Sequence, residues 1–285
     1  MKHMKEAIMK NIFMLAALAS IFAVLLICVF LFANGIPAMK EIGLFNFLTG
    51  RQWTPGNVPP SFGILPMIAG SVSVTLGAII IGVPIGILTA VFLAYYCPKM
   101  IYRYLKPSVE LLAGIPSVIY GFFGLVVLVP LTRDLFGGNG NSMLTASLLL
   151  GIMILPTIIG VSESAIRAVP GHYYEGSLAL GATHERAIFA TVLPAAKSGV
   201  VAAVVLGVGR AIGETMAVIM VAGNQPRMPV GILKGVRTMT ANIVIEMGYA
   251  AELHRGALIA TGVVLFVFIL IINLTFSILK RRTNI

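Results

Sequence analysis

The 285-residue chain is 58% hydrophobic and only 11% charged, with a mean hydropathy of +0.99, which excludes a soluble globular domain and makes this a polytopic membrane protein. Its formal net charge of +10 is not the footprint of a nucleic-acid binder, because the lysines and arginines stand mostly at the ends of apolar runs, where they mark membrane topology. Two cysteines without paired spacing, Cys28 and Cys97, call for neither a disulfide framework nor a metal site.

Lys2, Lys5 and Lys10 precede an apolar run from Ile12 to about Ala33 that is too long for a signal peptide and long enough to span a bilayer, so it reads as an uncleaved first span. Residues 34–65 are polar and punctuated by Pro and Gly, and form an outside loop containing the only tryptophan, Trp53. That loop is a docking surface for an extracytoplasmic partner, an anchor holding Phe45, Phe47 and Trp53 at headgroup level, or both. The second span runs from Pro66 to Tyr96 across Gly82, Pro84 and Gly86, and Lys99, Arg103 and Lys106 mark its inner end. Gly82 and Gly86 lie on one helix face and leave bare backbone for a neighbouring helix.

Val109 to Leu131 is a third span in which Gly114 and Pro116 predict a kink, since proline removes a helical hydrogen bond. After a short outside turn, Met143 to about Ser164 is the fourth span, with Pro156 inside it. Glu163 and Arg167 at its inner end stand four apart, in the stabilising order for a helix-surface pair. Gly199 to Ala222 is the fifth span, 223–255 a second outside segment, and Gly256 to Leu279 the sixth, which has no interior proline and is placed towards lipid. Of the 20 lysines and arginines, the inside segments hold twelve, the outside segments seven, and Arg210 alone is intramembrane. Both termini are therefore expected in the cytoplasm of a plasma-membrane protein.

The longest polar interruption on the inner side is Pro170 to Pro194, PGHYYEGSLALGATHERAIFATVLP. Pro170 and Gly171 break the preceding helix, two helical turns follow, and Gly181 is suited to end them in a left-handed cap. Thr183 as N-cap and Glu185 in the first turn start a second short helix that runs to Leu193-Pro194. The result is either a protruding knob, with Tyr173, Tyr174 and Leu178 as apolar anchors for the groove of a soluble partner, or a loop that only turns the chain around.

The sharpest candidate site is in the fifth span, GVGRAIGETMAV, where Arg210 and Glu214 stand four apart in an apolar helix. Intramembrane arginine costs roughly 2.5–3.5 kcal/mol even on a lenient scale, so it faces a partner or a water-filled path. One reading is a self-neutralising ion pair that stitches helices together. The other is a pathway for an anion, with the guanidinium donating to an oxyanion and Glu214 orienting it. Gly209, Gly213 and Ala217 form a small-residue stripe beside the pair, for close helix packing.

Several chemistries are excluded. No G-x-x-x-x-G-K-[ST] loop is present, so an ATP-driven role requires a separate ATPase subunit. The four histidines are scattered, there is no H-E-x-x-H helix, and Asp134 is the only aspartate. The chain reads as a transport protein with no cofactor and no metal site, not as an enzyme.

In the 170–194 loop, Glu175, Gly176, Ser177, Gly181 and Leu193-Pro194 resemble the EAA loop of ABC-importer permeases, Glu-Ala-Ala, three residues, Gly, nine residues, Ile, one residue, Leu-Pro. Gly176 and Ser177 replace the two alanines and Thr191 the isoleucine, while the spacing is intact. Three further stretches, Leu111 to Pro130, Ile154 to Pro170 and Leu206 to Asn224, are similar to the PstC-type permeases of bacterial and archaeal phosphate importers. Met216-Ala217-Val218 after Gly-Glu-Thr favours PstC over the PstA-type sister.

The resemblance covers roughly residues 65–280 and implies an all-α, six-span type-I importer permease. Residues 1–66 are then an N-terminal span and loop, 67–280 the permease core, and 281–285 a cytoplasmic tail. It also implies a PstA-like permease partner, two PstB-like ATPases that drive the loop, and an extracytoplasmic phosphate-binding protein, with phosphate moving past Arg210 by alternating access. A permease for sulfate or molybdate is the alternative within the class, and a stand-alone channel or ion-coupled carrier the alternative outside it.

Overall fold

The computed structural model describes residues 2–283, so residues 284 and 285 of the expected tail 281–285 lie outside the described residues. Apart from one two-stranded hairpin, the regular structure is helical. The first helix, α1 (Lys2–Ile42), contains a candidate span, Met9–Ile42, whose apolar side chains are exposed on every side as far as about Ile27, as suits a helix bathed in lipid, while Leu31, Phe32, Ala38 and Met39 pack inward. It continues well past Ala33, through Pro37. A proline inside a helix costs about 3 kcal/mol, and here it is offset by packing on the last helix, where Gly35 meets Ala260 and Val263, and Ala38 meets Gly256.

After α2 (Leu44–Thr49), strands β1 (Trp53–Thr54) and β2 (Ser61–Phe62) pair antiparallel with Trp53 opposite Phe62. The expected headgroup anchor is corrected here: Phe45 is 77% exposed, but Phe47 and Trp53 are buried in a cluster with Phe62, Ile64, Met67 and Met239. The reason is a partner far along the chain, since Trp53 Nε1 donates to Glu246 Oε2 at 2.8 Å.

The second crossing is α3 (Leu65–Val91), which runs unbroken past Pro84 into a π-helical turn, Phe92–Tyr96. Then come α4 (Lys99–Gly114), α5 (Ser117–Phe123), a π-helical turn Gly124–Leu128 and α6 (Val129–Phe136), of which Ser117–Phe136 is a candidate span. Pro116 does more than kink this crossing. Ile115 and Pro116 are both extended, with ψ of 126° and 139°, so the helix stops at Gly114 and restarts at Ser117. Proline crowds the residue before it out of the helical region.

The central helix is α7 (Met143–Arg167), capped by the Ser142 hydroxyl, which accepts from Thr145 N, and continuous through Pro156. It packs along α3 in a glycine seam. A methyl on Gly82 would lie 2.8 Å from Ile154 Cδ1, and one on Gly86 2.7 Å from Ile158 Cγ2, so this pair acts as the expected packing face.

The 170–194 loop folds as α8 (Gly171–Ala179), α9 (His184–Ala187), a π-helical turn Ile188–Val192 and α10 (Leu193–Ala195). A 71° bend separates it from α11 (Lys197–Gly213). That helix climbs α7 from Ala165, beside Gly199, to Ile158 and Ile154, beside Gly207. It then breaks, and α12 (Met216–Val221) completes the crossing at the far end of α7, where Ser142 N donates to Val221 O. Five helices are long and apolar enough to span a membrane, and the bent pair His184–Ala195 and Lys197–Gly213, counted as one span, makes six.

Beyond it, α13 (Met239–Met247) tucks back into the bundle, its Met239 N donating to Ser71 Oγ of α3. The last helix, α14 (Glu252–Thr283), was expected towards lipid. Its first turns are buried at Ala257, Leu258, Ala260 and Thr261, where α1 and α13 pack on it, while Leu270, Ile271 and Leu274 further along are exposed as expected.

Candidate functional site

Two helix breaks stand in this bundle, one at the start of the third crossing and one between α11 and α12. In the third, Tyr120 of α5 reaches back across the gap and donates its hydroxyl to Leu112 O of α4 at 2.8 Å. In the fifth, α11 ends at Gly213, Glu214 is extended, and Thr215 leads into α12. The segments beyond the breaks, α5 and α12, pack together: a methyl on Gly121 would lie 2.9 Å from Ala217 Cα. A polar break inside a membrane bundle persists only where it lines a cavity or is covered by protein. From the end opposite the 170–194 loop, Thr240 of α13 donates to Glu214 O at 3.0 Å and covers this one.

Arg210 sits in the last turn of α11, just below the break. Its Nη1 donates to Thr157 Oγ1 of α7 over a long 3.4 Å. The i, i+4 ion pair with Glu214 is not formed. The helix ends between the two residues, and Glu214 Oε1 is used instead to accept from Thr215 N at 3.1 Å and Ala217 N at 3.2 Å, capping α12. Arg210 therefore has one weak neutral partner and no carboxylate among the described residues. The stripe expected at Gly209, Gly213 and Ala217 also divides: Ala217 is buried, but methyl groups on Gly209, Gly213 or Gly114 would meet nothing within 4 Å. Those three glycines leave the break open instead of closing a helix contact within this chain.

Sequence reasoning missed Tyr120, Thr157 and Thr240. Thr157 was the most legible of them, as a polar residue directly after Pro156 in an otherwise apolar stretch.

The 170–194 loop has an outer and an inner face. Tyr173, Glu175, Gly176, Leu178 and Leu180 are exposed, Leu180 at 92%. Tyr174 turns inward, its hydroxyl 2.6 Å from His184 Nδ1 and its ring 5.3 Å from that of Tyr95, and Leu193 packs into the same cluster. Gly181 has φ +86°, the left-handed conformation that ends α8, and its N–H donates to Leu178 O. Thr183 accepts from Arg186 N as an N-cap, and the helix it starts runs through a π-helical turn to Ala195, past the expected end at Leu193-Pro194. Thr191 Oγ1 donates to Ser177 Oγ at 3.3 Å, so two of the residues that depart from the EAA consensus are partnered with each other.

Two buried carboxylates complete the polar architecture. Near the 170–194 loop, Glu163 accepts from Tyr102 at 2.8 Å, Lys106 at 2.9 Å and Arg167 at 2.8 Å. At the opposite end, Glu246 accepts from Trp53, Arg237 and His254. Arg237 also donates to Asn242 Oδ1 and Asn224 O, which ties the hairpin, α13 and the segment after α12 into one cap. The Glu163–Arg167 pair was legible from its spacing; the partners from α4 were not.

Comparison with known proteins places this geometry. Residues 82–285 match the family described as binding-protein-dependent transport system inner membrane component. The probable ABC transporter permease protein YqgH of Bacillus subtilis is 40% identical over 90% of this chain and 86% of its own length. The phosphate transport system permease protein PstC of Mesorhizobium japonicum is 37% identical over 86% and 81%, and PstC 2 of Mycobacterium tuberculosis 34% over 93% and 89%. The fold is similar to a chain of a bacterial alginate ABC transporter solved with an alginate pentasaccharide-bound periplasmic protein, with a TM-score of 0.66 at 18% identity and 96% of each chain covered. A chain of the MetNI methionine ABC transporter in an inward-facing conformation gives a TM-score of 0.57 at 22% identity over 78% of this chain and 94% of that one. The six-crossing architecture is thus that of the type-I ABC importer permeases.

Proposed function

The chain belongs to the family of binding-protein-dependent transport system inner membrane components, and from that premise we propose that it is the PstC-type permease of an ATP-driven importer of inorganic phosphate. The observation that carries the substrate reading is Arg210: a guanidinium without a carboxylate partner among the described residues, beside a broken helix in a membrane bundle. An intramembrane arginine in that state is stabilised by an anion passing or resting there, and phosphate accepts its fork of donors in two parallel bonds. The identity to PstC proteins over most of both chains supports phosphate as that anion.

In this reading the 170–194 loop lies in the cytoplasm, where the twelve inside lysines and arginines of the positive-inside count also fall, and both termini are cytoplasmic. Tyr173, Leu178 and the exposed Leu180 dock on one of two PstB-like ATPases, while Tyr174, Leu193 and the 71° bend at Ala196 join the loop to α11. ATP-driven movement of the loop tilts α11 and changes access to the break from one side to the other. A PstA-like permease supplies the second wall against open Gly209 and Gly213, and a phosphate-binding protein delivers the ion above the Glu246 cap. The loop favours one orientation only if ATP binds the two states with different affinity.

The test is uptake of phosphate into proteoliposomes holding the whole complex, in competition with sulfate, arsenate and molybdate. Competition by arsenate alone supports the phosphate reading. Uptake blocked equally by sulfate or molybdate reassigns the substrate, and uptake without ATP or the binding protein returns the chain to the channel or carrier class.

A further inference from the structure

Glu163 is a buried charge that the path past Arg210 does not use. It is 1% exposed, and its three partners come from different places: Arg167 from its own helix, Tyr102 and Lys106 from α4. Arg167 continues outward. Its Nη2 donates to Leu93 O at 2.7 Å in the π-helical turn after α3, and its guanidinium lies 4.8 Å over the Tyr102 ring. That turn also carries Tyr95 and Tyr96, whose rings meet Tyr174 at 5.3 Å and His184 at 4.8 Å in the 170–194 loop. A continuous set of contacts therefore runs from the loop through Leu93, Arg167 and Glu163 to α4.

The attachment of α4 makes this junction decisive. The helix has no buried residue, so no apolar core holds it to the bundle along its length. Beyond its chain connection through Cys97 and Pro98 to the π-helical turn after α3, its polar attachments among the described residues are Tyr102 and Lys106 on Glu163 and, at the far end, Leu112, whose carbonyl holds Tyr120. A shift of the Glu163 end is delivered to the Gly114–Pro116 break, close to Arg210.

We propose that Glu163 is a positioning residue through which movement of the 170–194 loop reaches the third crossing, in parallel with the covalent route through α10 into α11. The third and fifth crossings would then be driven together, one through this joint and one through the chain. The inference rests on the importer reading above, since it needs a loop that moves.

The test uses the whole complex in proteoliposomes and reads substrate uptake and ATP hydrolysis together, with whichever oxyanion the wild-type complex takes up. Glu163→Gln keeps the shape and removes the charge that gathers the three donors. The complex should assemble and hydrolyse ATP at close to the wild-type rate, while uptake per ATP falls about tenfold, the scale of a lost coupling contact. The double variant Tyr102→Phe, Lys106→Met spares the Glu163–Arg167 pair, cuts the link to α4 at the cost of one exposed Lys106–Glu110 pair within that helix, and should give the same uncoupling. It also decides the matter if Glu163→Gln fails to assemble.

Uptake and hydrolysis that fall in proportion, with an unchanged ratio, would reduce Glu163 to a structural ion pair and overturn the proposal; so would two unaffected variants. The wild-type arm separates the two readings, because a complex that imports nothing overturns the importer assignment and this inference with it. Normal wild-type uptake with an unchanged ratio in both variants overturns this inference alone.

Discussion

Gly82 and Gly86 on α3, and Gly209 and Gly213 on α11, are glycine pairs with the same four-residue spacing in crossings that both pack on α7. The first pair is filled by its neighbour: Ile154, Gly151 and Ile158 of α7 stand where its side chains would be. The second pair has open space where side chains would be, and Arg210 lies between its two members. Close packing at the α3–α7 seam gives the bundle a rigid spine, and interiors packed that tightly do not deform gradually. The α11–α12 break lacks such packing, so its polar groups depend on caps and hydrogen bonds. The same spacing marks a static contact in one helix and the wall of an opening in the other, and only the neighbours distinguish them.

The largest effect that would test this contrast is at the open pair. Arg210→Ala should reduce uptake by the assembled complex by about 100-fold, the equivalent of one strong charge-assisted bond, with normal membrane insertion. Arg210→Lys should lie between, because a point charge cannot donate in a fork. Unchanged uptake in Arg210→Ala would leave the break without a chemical role.

Next in size is the closed pair. Gly86→Leu forces a side chain into Ile158, and overpacking of this kind costs about 1–3 kcal/mol or more, which should appear as a lower thermal midpoint and a poor yield of folded chain. Gly209→Leu is the matched control and should leave the midpoint of the isolated chain within about 0.5 kcal/mol of wild type, while impairing uptake or pairing with the sister permease. Equal destabilisation by the two would erase the distinction between the seams.

Gly181→Val tests the loop that drives the open region. A β-branched residue at φ +86° is strained by about 1–3 kcal/mol, and the expected readout is ATP hydrolysis that no longer produces proportionate uptake. Full coupling in this variant would mean that the left-handed turn is not needed to transmit force.

The smallest effect concerns Glu214. Glu214→Gln keeps an oxygen to cap α12 and should be nearly silent, whereas Glu214→Ala loses the cap at about 1 kcal/mol and lowers uptake far less than Arg210→Ala. Were Glu214→Ala as damaging as Arg210→Ala, the two residues would have to act as a unit in some state other than this one.

Much of this was legible in the residues. Apolar runs placed all six crossings, because a segment without enough charges has no stable place except the membrane. The Gly82–Gly86 face, the left-handed Gly181 and the Thr183 cap were readable, since each depends on a few adjacent residues. The break at Glu214 was not. The apolar run continues across it from Ala211 to Ala222, and i, i+4 spacing made Arg210 and Glu214 look like a pair. Nor was the burial of Trp53 readable, because its partner is Glu246, 193 positions away.

By itself, then, the sequence determined the class, the number of crossings and an intramembrane arginine, because hydropathy, charge placement and local backbone preference are properties of short windows. Only the tertiary structure decided what the arginine faces, which glycines are filled, and that α4 hangs on Glu163. Those outcomes depend on which surfaces distant segments bring together: Thr240 over the Glu214 carbonyl, Ile158 against Gly86, Tyr102 and Lys106 on one buried carboxylate.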